Sequence, residues 1–314
     1  MAFREELLSE VPGFSDWIEI TPITKGWSME SKFRVTNSSG QNFLVRLSDF
    51  AEYETKKVQY EDISKLSIQD VRFSQPVAFG LTKSKKCVYT IFNWIDGKDA
   101  LDVIPMLSKA EQYKLGQIAG RTLRKIHEIP APPDLEPWFR KFRKKFYFRL
   151  KLYIDNPIKF DENEHLLKYL TENLNLLRSR PQTLQHGDFH LGNMVICTDN
   201  KNQSESQLGL IDFNRLSYGD PWEEFERSIF TAQVSPDFIN GQIHAYFNDN
   251  VPELFFPIMA VYISYSIIAS ISWAEPFGSE EIEKMLELGN SVIRSYDGFR
   301  SVIPDWYEQP KTLD

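Results

Sequence analysis

The alternation of apolar and polar residues predicts mostly strands in the first third of the chain. A charged, amphipathic segment at residues 1–10 is typical of a short helix. Five segments then have strand composition and are bounded by turn residues. They are Trp17–Ile23, Lys32–Thr36, Gln41–Leu47, Pro76–Gly80 and Cys87–Phe92. A helical spacing from Ala51 to Leu66, with Ser48 or Asp49 as its cap, interrupts the strands after the third one.

After residue 97 the apolar spacing becomes helical. Ser108–Ile129 and His165–Arg180 are predicted helices that end before Pro130 and Pro181. Leu254–Ala274 carries no formal charge and is long enough to span a bilayer. Its proline and serines, its acidic flanks and the lack of a Lys/Arg bias favour a buried helix over a transmembrane span.

Length and composition restrict the kind of protein. A chain of 314 residues with 42% hydrophobic and 14% aromatic residues is expected to form two lobes. Cys87 and Cys197 are too few for a disulfide framework, and the N-terminus lacks the apolar core of a signal peptide, which favours the cytoplasm. The net charge of −8 disfavours nucleic-acid binding and is compatible with a cationic ligand.

Two acidic motifs carry the chemistry. The first runs from His186 through Asp188 to Asn193, and the second is Asp212-Phe213-Asn214. Strand patterns at Val195–Cys197 and Leu208–Ile211 flank the turn-like run 198–207. A hairpin of this kind would bring Asp212 back beside Asn193.

This spacing matches the kinase template of H-x-D, four residues, Asn, then an Asp-Phe motif. In that chemistry one Asp accepts the hydroxyl proton, while an Asn and a second Asp hold Mg²⁺ against the phosphates. Two alternative interpretations of these residues are less well supported. A transition-metal site at His186, Asp188 and His190 lacks a metal-like pair among the other histidines. The other alternative is a polar loop without chemistry.

Candidate nucleotide groups precede these motifs. Gly26, Trp27 and Ser28 form a turn whose backbone N–H groups could cover phosphates. Arg46 is a lone cation in an apolar strand, so it needs a counter-charge, and a phosphate would supply one; a solvent-facing strand end is the alternative. Its protein partner is left open among three residues of the following helix: Gln59, Glu54 and Glu61.

Three further segments have both a structural and a functional interpretation. Residues 93–97, which include Asn93 and Trp94, break the strand pattern as a hinge where backbone groups could meet an adenine. Asp220-Pro221-Trp222-Glu223 has the composition of a reciprocally capped helix start, with substrate recognition by Trp222, Glu223, Glu224 or Glu226 as a secondary role. Residues 139–151 predict an amphipathic helix with a basic face, either solvated or bound to a membrane surface or another anionic partner.

Together these motifs resemble the aminoglycoside phosphotransferase and choline kinase-like family, over nearly the whole chain. The resemblance implies a two-lobed, protein-kinase-like α+β fold with a small antiparallel-sheet lobe that has one main helix, and a larger helical lobe. It implies lobe boundaries at 1–93 and 98–314 around a hinge at 94–97. It implies Asp188 as catalytic base, Asn193 and Asp212 as Mg²⁺ ligands, and His186 as a brace of the loop. Arg46 takes the place of the usual lysine, and Gln59 stands where a glutamate is expected.

The predicted function is therefore a cytoplasmic small-molecule kinase that moves the γ-phosphoryl group of Mg-ATP or GTP to a hydroxyl. An aminoglycoside-like antibiotic, a choline-like amino alcohol, a sugar, a macrolide or an amino acid would each fit these motifs. A protein kinase is disfavoured because the chain lacks a G-x-G-x-x-G loop and an A-P-E segment. The alternatives of another class are a nucleotide-binding protein without catalysis and a peripheral membrane or anion-binding protein acting through residues 140–151.

Overall fold

The structure, a computed structural model, describes residues 6–24, 30–68, 71–197 and 208–310. Its backbone contacts divide the chain into two compact units. One comprises Met1–Lys98 and Val195–Asn214, and the other Asp99–Met194 and Arg215–Asp314. The predicted residues Gly26, Trp27 and Ser28 and the turn-like run 198–207 lie outside the described ranges.

The first unit is built on an antiparallel sheet of five strands in the order β1-β2-β3-β6-β5. The strands are β1 Trp17–Ile23, β2 Ser31–Asn37, β3 Asn42–Asp49, β5 Pro76–Leu81 and β6 Cys87–Asn93. Val35, Val45 and Leu47 are fully buried on the core face of this sheet. Helix α1, Tyr53–Ser64, packs against β5 and β6. Register places Arg46 of β3 between Lys32 of β2 and Thr90 of β6.

A second, smaller sheet carries the acidic motif of this unit. It has the order β4-β10-β9-β7, with β4 Arg72–Phe73, β7 Gly97–Asp99, β9 Met194–Cys197 and β10 Leu208–Leu210. Gly97 approaches β9 so closely that an added Cβ would lie 2.7 Å from the carbonyl oxygen of Ile196. Only glycine fits there without displacing the backbone. The strand β10 ends two residues before Asp212.

The second unit is mostly helical. Its helices are α2 Ala100–Val103, α3 Lys109–His127, α4 Trp138–Asp155, α5 Asn163–Asn173, α6 Ser228–Val234, α7 Pro236–Phe247, α8 Phe255–Ala274 and α9 Ser279–Ser295. Ser108 and Glu111 form a capping box that begins α3. A two-stranded antiparallel ribbon of β8, Thr183–Gln185, and β11, Ser217–Gly219, leads into and out of the region of the first motif.

Helix α8 is the one described helix long and apolar enough to cross a membrane by length and composition. Two thirds (67%) of its most apolar window is buried within the protein, where it packs against α4, α5 and α9. Its apolar character is that of a core helix, which must bury residues on every side.

The α+β class is confirmed, and several predicted elements differ in detail. Residues Glu6–Glu10 are a 3₁₀ helix. The helix predicted to reach Arg180 ends at Asn173, because the Asn173 amide donates to the Tyr169 carbonyl oxygen that its backbone N–H would use; a short 3₁₀ turn follows. The predicted start of a capped α-helix at Asp220 is displaced: a 3₁₀ helix, Glu223–Arg227, comes first, and the α-helix α6 begins only at Ser228.

Candidate active site

The first motif lies on a tight loop between β8 and β9. Gly187 has a φ of +82°, and a Cβ there would collide with the carbonyl of Arg215, so the chain needs glycine at this turn. His186 is fully buried, and its Nδ1 accepts the backbone N–H of Asp188 at 3.3 Å. Asn193 closes the loop from the other end by donating its amide to the carbonyl oxygen of Asp188, at 2.8 Å.

Glu224 holds the same loop from outside. Its two carboxylate oxygens accept the backbone N–H groups of His186 and Gly187 at 2.6 and 2.8 Å, and its side chain is buried. The sequence interpretation had offered Glu224 for substrate recognition. Because both oxygens are occupied by backbone donors, its observed position is that of a structural anchor.

Asp220 anchors this region as well. It is fully buried, receives two hydrogen bonds from Arg180 at 2.7 and 2.9 Å, and accepts the hydroxyl of Tyr262 at 2.7 Å. A charged carboxylate in the interior requires such pairing. The capping geometry predicted for Asp220 is replaced by these tertiary bonds, although its Oδ1 still accepts the N–H of Trp222 at 3.0 Å.

The carboxylate of Asp188 is enclosed by cationic groups. Its side chain is 22% exposed, with Arg227 Nε at 3.1 Å, Arg215 Nη1 at 3.6 Å and His190 Nε2 at 3.7 Å from Oδ1. Burial alone would raise the pKa of Asp188. The hydrogen bond from His190 and the charges of Arg227 and Arg215 outweigh burial and hold the pKa well below its usual range. Asp188 is therefore ionised at neutral pH.

A cavity of about 240 Å³ lies beside this loop in the second unit. Its lining includes Glu223 and Glu226, along with the cations Lys145, Arg215 and Arg227. Burial and the neighbouring Glu226 charge raise the pKa of Glu223 to about 8, and burial also raises the pKa of Glu226. One oxygen of Glu226 is buried without a hydrogen-bond partner among the described residues. Arg227 Nη2 lies 3.6 Å from Glu226, but the charges of Arg227 and Lys145 offset the effect of burial on the two carboxylates only in part.

Arg46 is the centre of a separate charged cluster in the first unit. Its Nε lies 2.8 Å from Glu30, and its Nη1 lies 3.1 Å from Asp212. The expected partners are corrected: Glu54 and Glu61 are exposed, and the Gln59 amide donates instead to the carbonyl oxygen of Asn214 at 2.8 Å. Sequence reasoning missed Glu30, which lies just before β2.

Asp212 has an unusual backbone conformation. Its φ is +65°, a value that few non-glycine residues adopt, and its side chain is 36% exposed.

The predicted hinge residues Asn93 and Trp94 form hydrogen bonds within the protein. The backbone N–H groups of Asn93 and Trp94 donate to the carbonyl oxygens of Gln75 and Asn42, at 3.0 and 3.2 Å. Those two N–H groups are thus engaged within the protein.

Within the described residues, no cluster of three or more His, Cys, Asp and Glu side chains could hold a metal ion. The histidines of the first motif accept hydrogen bonds from the backbone of their own loop. The Nδ1 of His190, like that of His186, accepts a nearby backbone N–H, that of Gly192 at 3.1 Å. Mg²⁺ needs fewer protein ligands than such a cluster, since it keeps several waters and takes carboxylate and amide oxygens. Asn193, in the second unit, and Asp212, in the first, each carry an oxygen of this kind.

The basic face of α4 is partly neutralised. Lys144 pairs with Glu136 at 2.7 Å, Lys151 pairs with Asp155, and Arg149 donates to Ser272 at 2.8 Å. Tyr147 and Phe148 are exposed between these cations. The face therefore has fewer free charges than its sequence suggests.

Comparison with known proteins identifies the family of the chain. The model of the phosphotransferase enzyme family matches residues 19–255. No curated protein matches the chain in sequence. The fold is similar to that of a GDP complex of a mutant aminoglycoside 2'-phosphotransferase-IIIa, at 13% identity and TM-score 0.68, with 96% of this chain and 99% of that chain covered.

Two further solved structures share the fold. The gentamicin–APH(2")-IIa complex has 18% identity and TM-score 0.60, covering 92% of this chain and 95% of that one. A choline/ethanolamine kinase family protein from Mesorhizobium loti has 12% identity and TM-score 0.64, covering 96% and 98%. These likenesses confirm the predicted kinase-like fold. The family match shows that the chain belongs to the phosphotransferase enzyme family and is a phosphotransferase that acts on a hydroxyl group.

Proposed function

We propose that the protein transfers the γ-phosphoryl group of Mg-ATP or GTP to a hydroxyl of a small amine-bearing molecule, such as an aminoglycoside-like antibiotic or an amino alcohol. The observation that carries the proposal is the setting of Asp188. Its carboxylate is ionised, and its loop is fixed at both ends by Asn193 and Glu224. An ionised carboxylate in a fixed position can orient the acceptor hydroxyl and take its proton.

The first unit supplies groups suited to a nucleotide. The Nη2 of Arg46 is buried and has no hydrogen-bond partner among the described residues, which suits a guanidinium that contacts a phosphate. Asn193 and Asp212 are the proposed ligands of Mg²⁺, which would neutralise phosphate charge when bound. Gly26, Trp27, Ser28, Asn93 and Trp94 remain proposed nucleotide contacts. That several structural neighbours are GDP or ADP complexes supports a nucleotide co-substrate.

The acceptor is proposed to bind in the cavity that Glu223 and Glu226 line (the acidic cavity). Glu223 and Glu226 repel one another there. An ammonium group between them would relieve the repulsion and donate a hydrogen bond to the buried oxygen of Glu226. A neutral sugar could donate a hydroxyl to that oxygen, but it would not relieve the repulsion between the two carboxylates. An amine-bearing acceptor is therefore favoured over a sugar, while the cavity alone does not separate aminoglycosides from smaller amino alcohols.

A nucleotide-binding protein without catalysis is the alternative of another class. The departures at residues 46 and 59 would disable transfer only if Arg46 had lost its carboxylate partner. Glu30 supplies that partner, and the residues of both acidic motifs are present. We propose a cytoplasmic location, because two cysteines are too few for a disulfide framework and the nucleotide is made inside cells.

The test is ADP release with magnesium and ATP, then GTP, across a panel of hydroxyl compounds. The panel spans aminoglycosides, macrolides, amino alcohols, sugars and hydroxy-amino acids, with Asp188→Asn as the blank. We expect a substrate-dependent signal for an amine-bearing member that falls by orders of magnitude in the variant, with nucleotide binding retained. Near-normal activity of Asp188→Asn would remove Asp188 from the role of base. Absence of nucleotide binding by the wild type would overturn the function.

A further inference from the structure

Three residues of the first unit depart from the kinase pattern, and all of them lie around one carboxylate. Arg46 replaces the strand lysine, Gln59 replaces the helix glutamate, and Asn214 replaces the glycine of the second motif. The change at Gln59 taken alone would weaken a kinase site, since the strand cation would lack its helix partner. Their contacts with Glu30 and with one another change that conclusion.

Glu30 receives four polar groups and is only 6% exposed. Oε2 lies 2.8 Å from Arg46 Nε and 3.0 Å from the amide of Asn214. Oε1 accepts the hydroxyl of Ser48 at 2.7 Å and lies 2.5 Å from Lys56 Nζ. Burial would raise the pKa of Glu30, but Arg46 and Lys56 lower it to about 2, so the carboxylate is charged at any physiological pH.

This arrangement exchanges the usual positions of the charges. Helix α1 presents a lysine, Lys56, in the region where a kinase helix presents its glutamate, and the acid comes from the residue just before β2. Gln59 no longer needs a charge, since it donates to the carbonyl oxygen of Asn214. Asn214 in turn uses its side chain on Glu30, which a glycine could not do.

Arg46 is left with one group for a ligand. Glu30 takes its Nε and Asp212 lies at its Nη1, whereas Nη2 is buried and unpartnered among the described residues. A guanidinium is planar, so fixing two of its nitrogens fixes the direction of the third. An unpaired buried cationic N–H costs free energy unless a ligand accepts it.

We propose that Glu30 is the positioning residue of the nucleotide-phosphate site: it replaces the helix glutamate and aims Arg46 Nη2 at the phosphates. This inference rests on the proposed nucleotide-dependent function. It accounts for the three departures together, because Arg46 and Asn214 both contact Glu30, and Gln59 donates to the carbonyl oxygen of Asn214. Lys56 balances the remaining charge of Glu30.

The experiment compares Mg-ATP with adenosine, which has the base and ribose but no phosphates. In Glu30→Gln we expect Mg-ATP affinity to fall about 10- to 100-fold, as for other losses of alignment at a reacting group. Adenosine affinity should stay within about twofold, because Arg46 does not act on the nucleoside. Glu54→Gln, at an exposed glutamate of α1, is the matched control and should bind both ligands as the wild type does.

A double-variant cycle shows whether Glu30 acts through Arg46. Glu30→Gln should weaken Mg-ATP binding no further in an Arg46→Gln background, whereas additive losses would overturn the proposal. Equal losses for Mg-ATP and adenosine would also overturn it, since they indicate general damage to the unit. Glu30→Asp is the second variant should Glu30→Gln fail to fold. It keeps the charge but shortens its reach, and we expect a smaller loss, again confined to Mg-ATP.

Failure of the proposed function gives a different result. If the wild type binds neither Mg-ATP nor Mg-GTP in the same titration, the nucleotide-dependent function falls, and the role of Glu30 falls with it. If the wild type binds and Glu30→Gln binds equally well, only the role of Glu30 is refuted.

Discussion

At the scale of single residues, the acidic cavity makes a prediction about pH. The pKa of Glu223 is raised from 4.5 to about 8, chiefly by burial and then by Glu226. Between these two values the folded protein keeps a proton that the unfolded chain has released. The free energy of unfolding therefore falls as pH rises, with no penalty below about pH 4.5 and the full penalty above about pH 8.

Glu223→Gln should remove this penalty while keeping the hydrogen bond from Gln185, which lies at 3.0 Å in the wild type. At pH 5 we expect the variant to match the wild type closely. At pH 8.5 it should be more stable by about 1–2 kcal/mol, less than the ~1.4 kcal/mol per pKa unit would give, because water reaches the cavity. Urea denaturation across this pH range measures the difference.

The control for this prediction is Glu128→Gln, an exposed glutamate that follows α3. It should leave the slope of unfolding free energy against pH unchanged. An unchanged slope in Glu223→Gln would show that the pKa of Glu223 is not raised in the folded protein.

Single residues also show how much of the site a sequence can predict. The motif spacing was enough to select Asp188, Asn193 and Asp212 as candidates, because their order along the chain is local. The partner of Arg46 was not predictable from helical spacing. The three candidates were sought on the following helix, whereas Glu30 reaches Arg46 because β2 and β3 pair in a particular register. Such register-dependent contacts have no short-range signal.

At the scale of elements, the contact between α3 and α7 depends on glycines. A Cβ added at Gly116 or Gly120 of α3 would collide with the backbone of α7, and one at Gly241 of α7 would collide with the backbone of α3. The two helices therefore touch backbone to backbone. Close approach of this kind is available only where side chains are absent.

Gly120→Ala tests this contact, because here the substitution should destabilise the protein, whereas it usually stabilises a helix. In an unobstructed helix the change stabilises by about 0.5–1 kcal/mol. Here the new methyl group meets the carbonyl of Gln242, so we expect a loss of about 1–3 kcal/mol and a Tm lower by several degrees. Lys114→Ala, at an exposed position of α3, is the control and should change Tm little. An increase in Tm for Gly120→Ala would refute the close contact.

Elements were predicted well where local signals are strong. Strand β1 has the predicted bounds, and α3 begins after the predicted Ser108 because its capping box is complete within four residues. The prediction failed at Asp220, whose composition is that of a cap. There the bonds from Arg180 and Tyr262 determine the backbone, and neither partner is near in sequence.

At the scale of the whole molecule, the net charge should attract one substrate and repel the other. The chain carries −8, and the cations of α4 that depart from this average are partly paired. A cationic acceptor is attracted to such a protein and a nucleotide polyanion is repelled. Salt weakens both effects, since the Debye length shrinks from about 30 Å at 0.01 M to about 8 Å at 0.15 M ionic strength.

We therefore expect kcat/KM for an amine-bearing acceptor to fall several-fold over that range of ionic strength, while kcat/KM for Mg-ATP stays level or rises. Initial rates at saturating concentrations of the other substrate separate the two effects. A neutral hydroxyl compound turned over by the same enzyme is the control, because its kcat/KM should not respond to salt. An amine acceptor whose kcat/KM is equally insensitive would show that neither the net charge nor the acidic cavity attracts it, and the acceptor class would then have to be sought among neutral molecules.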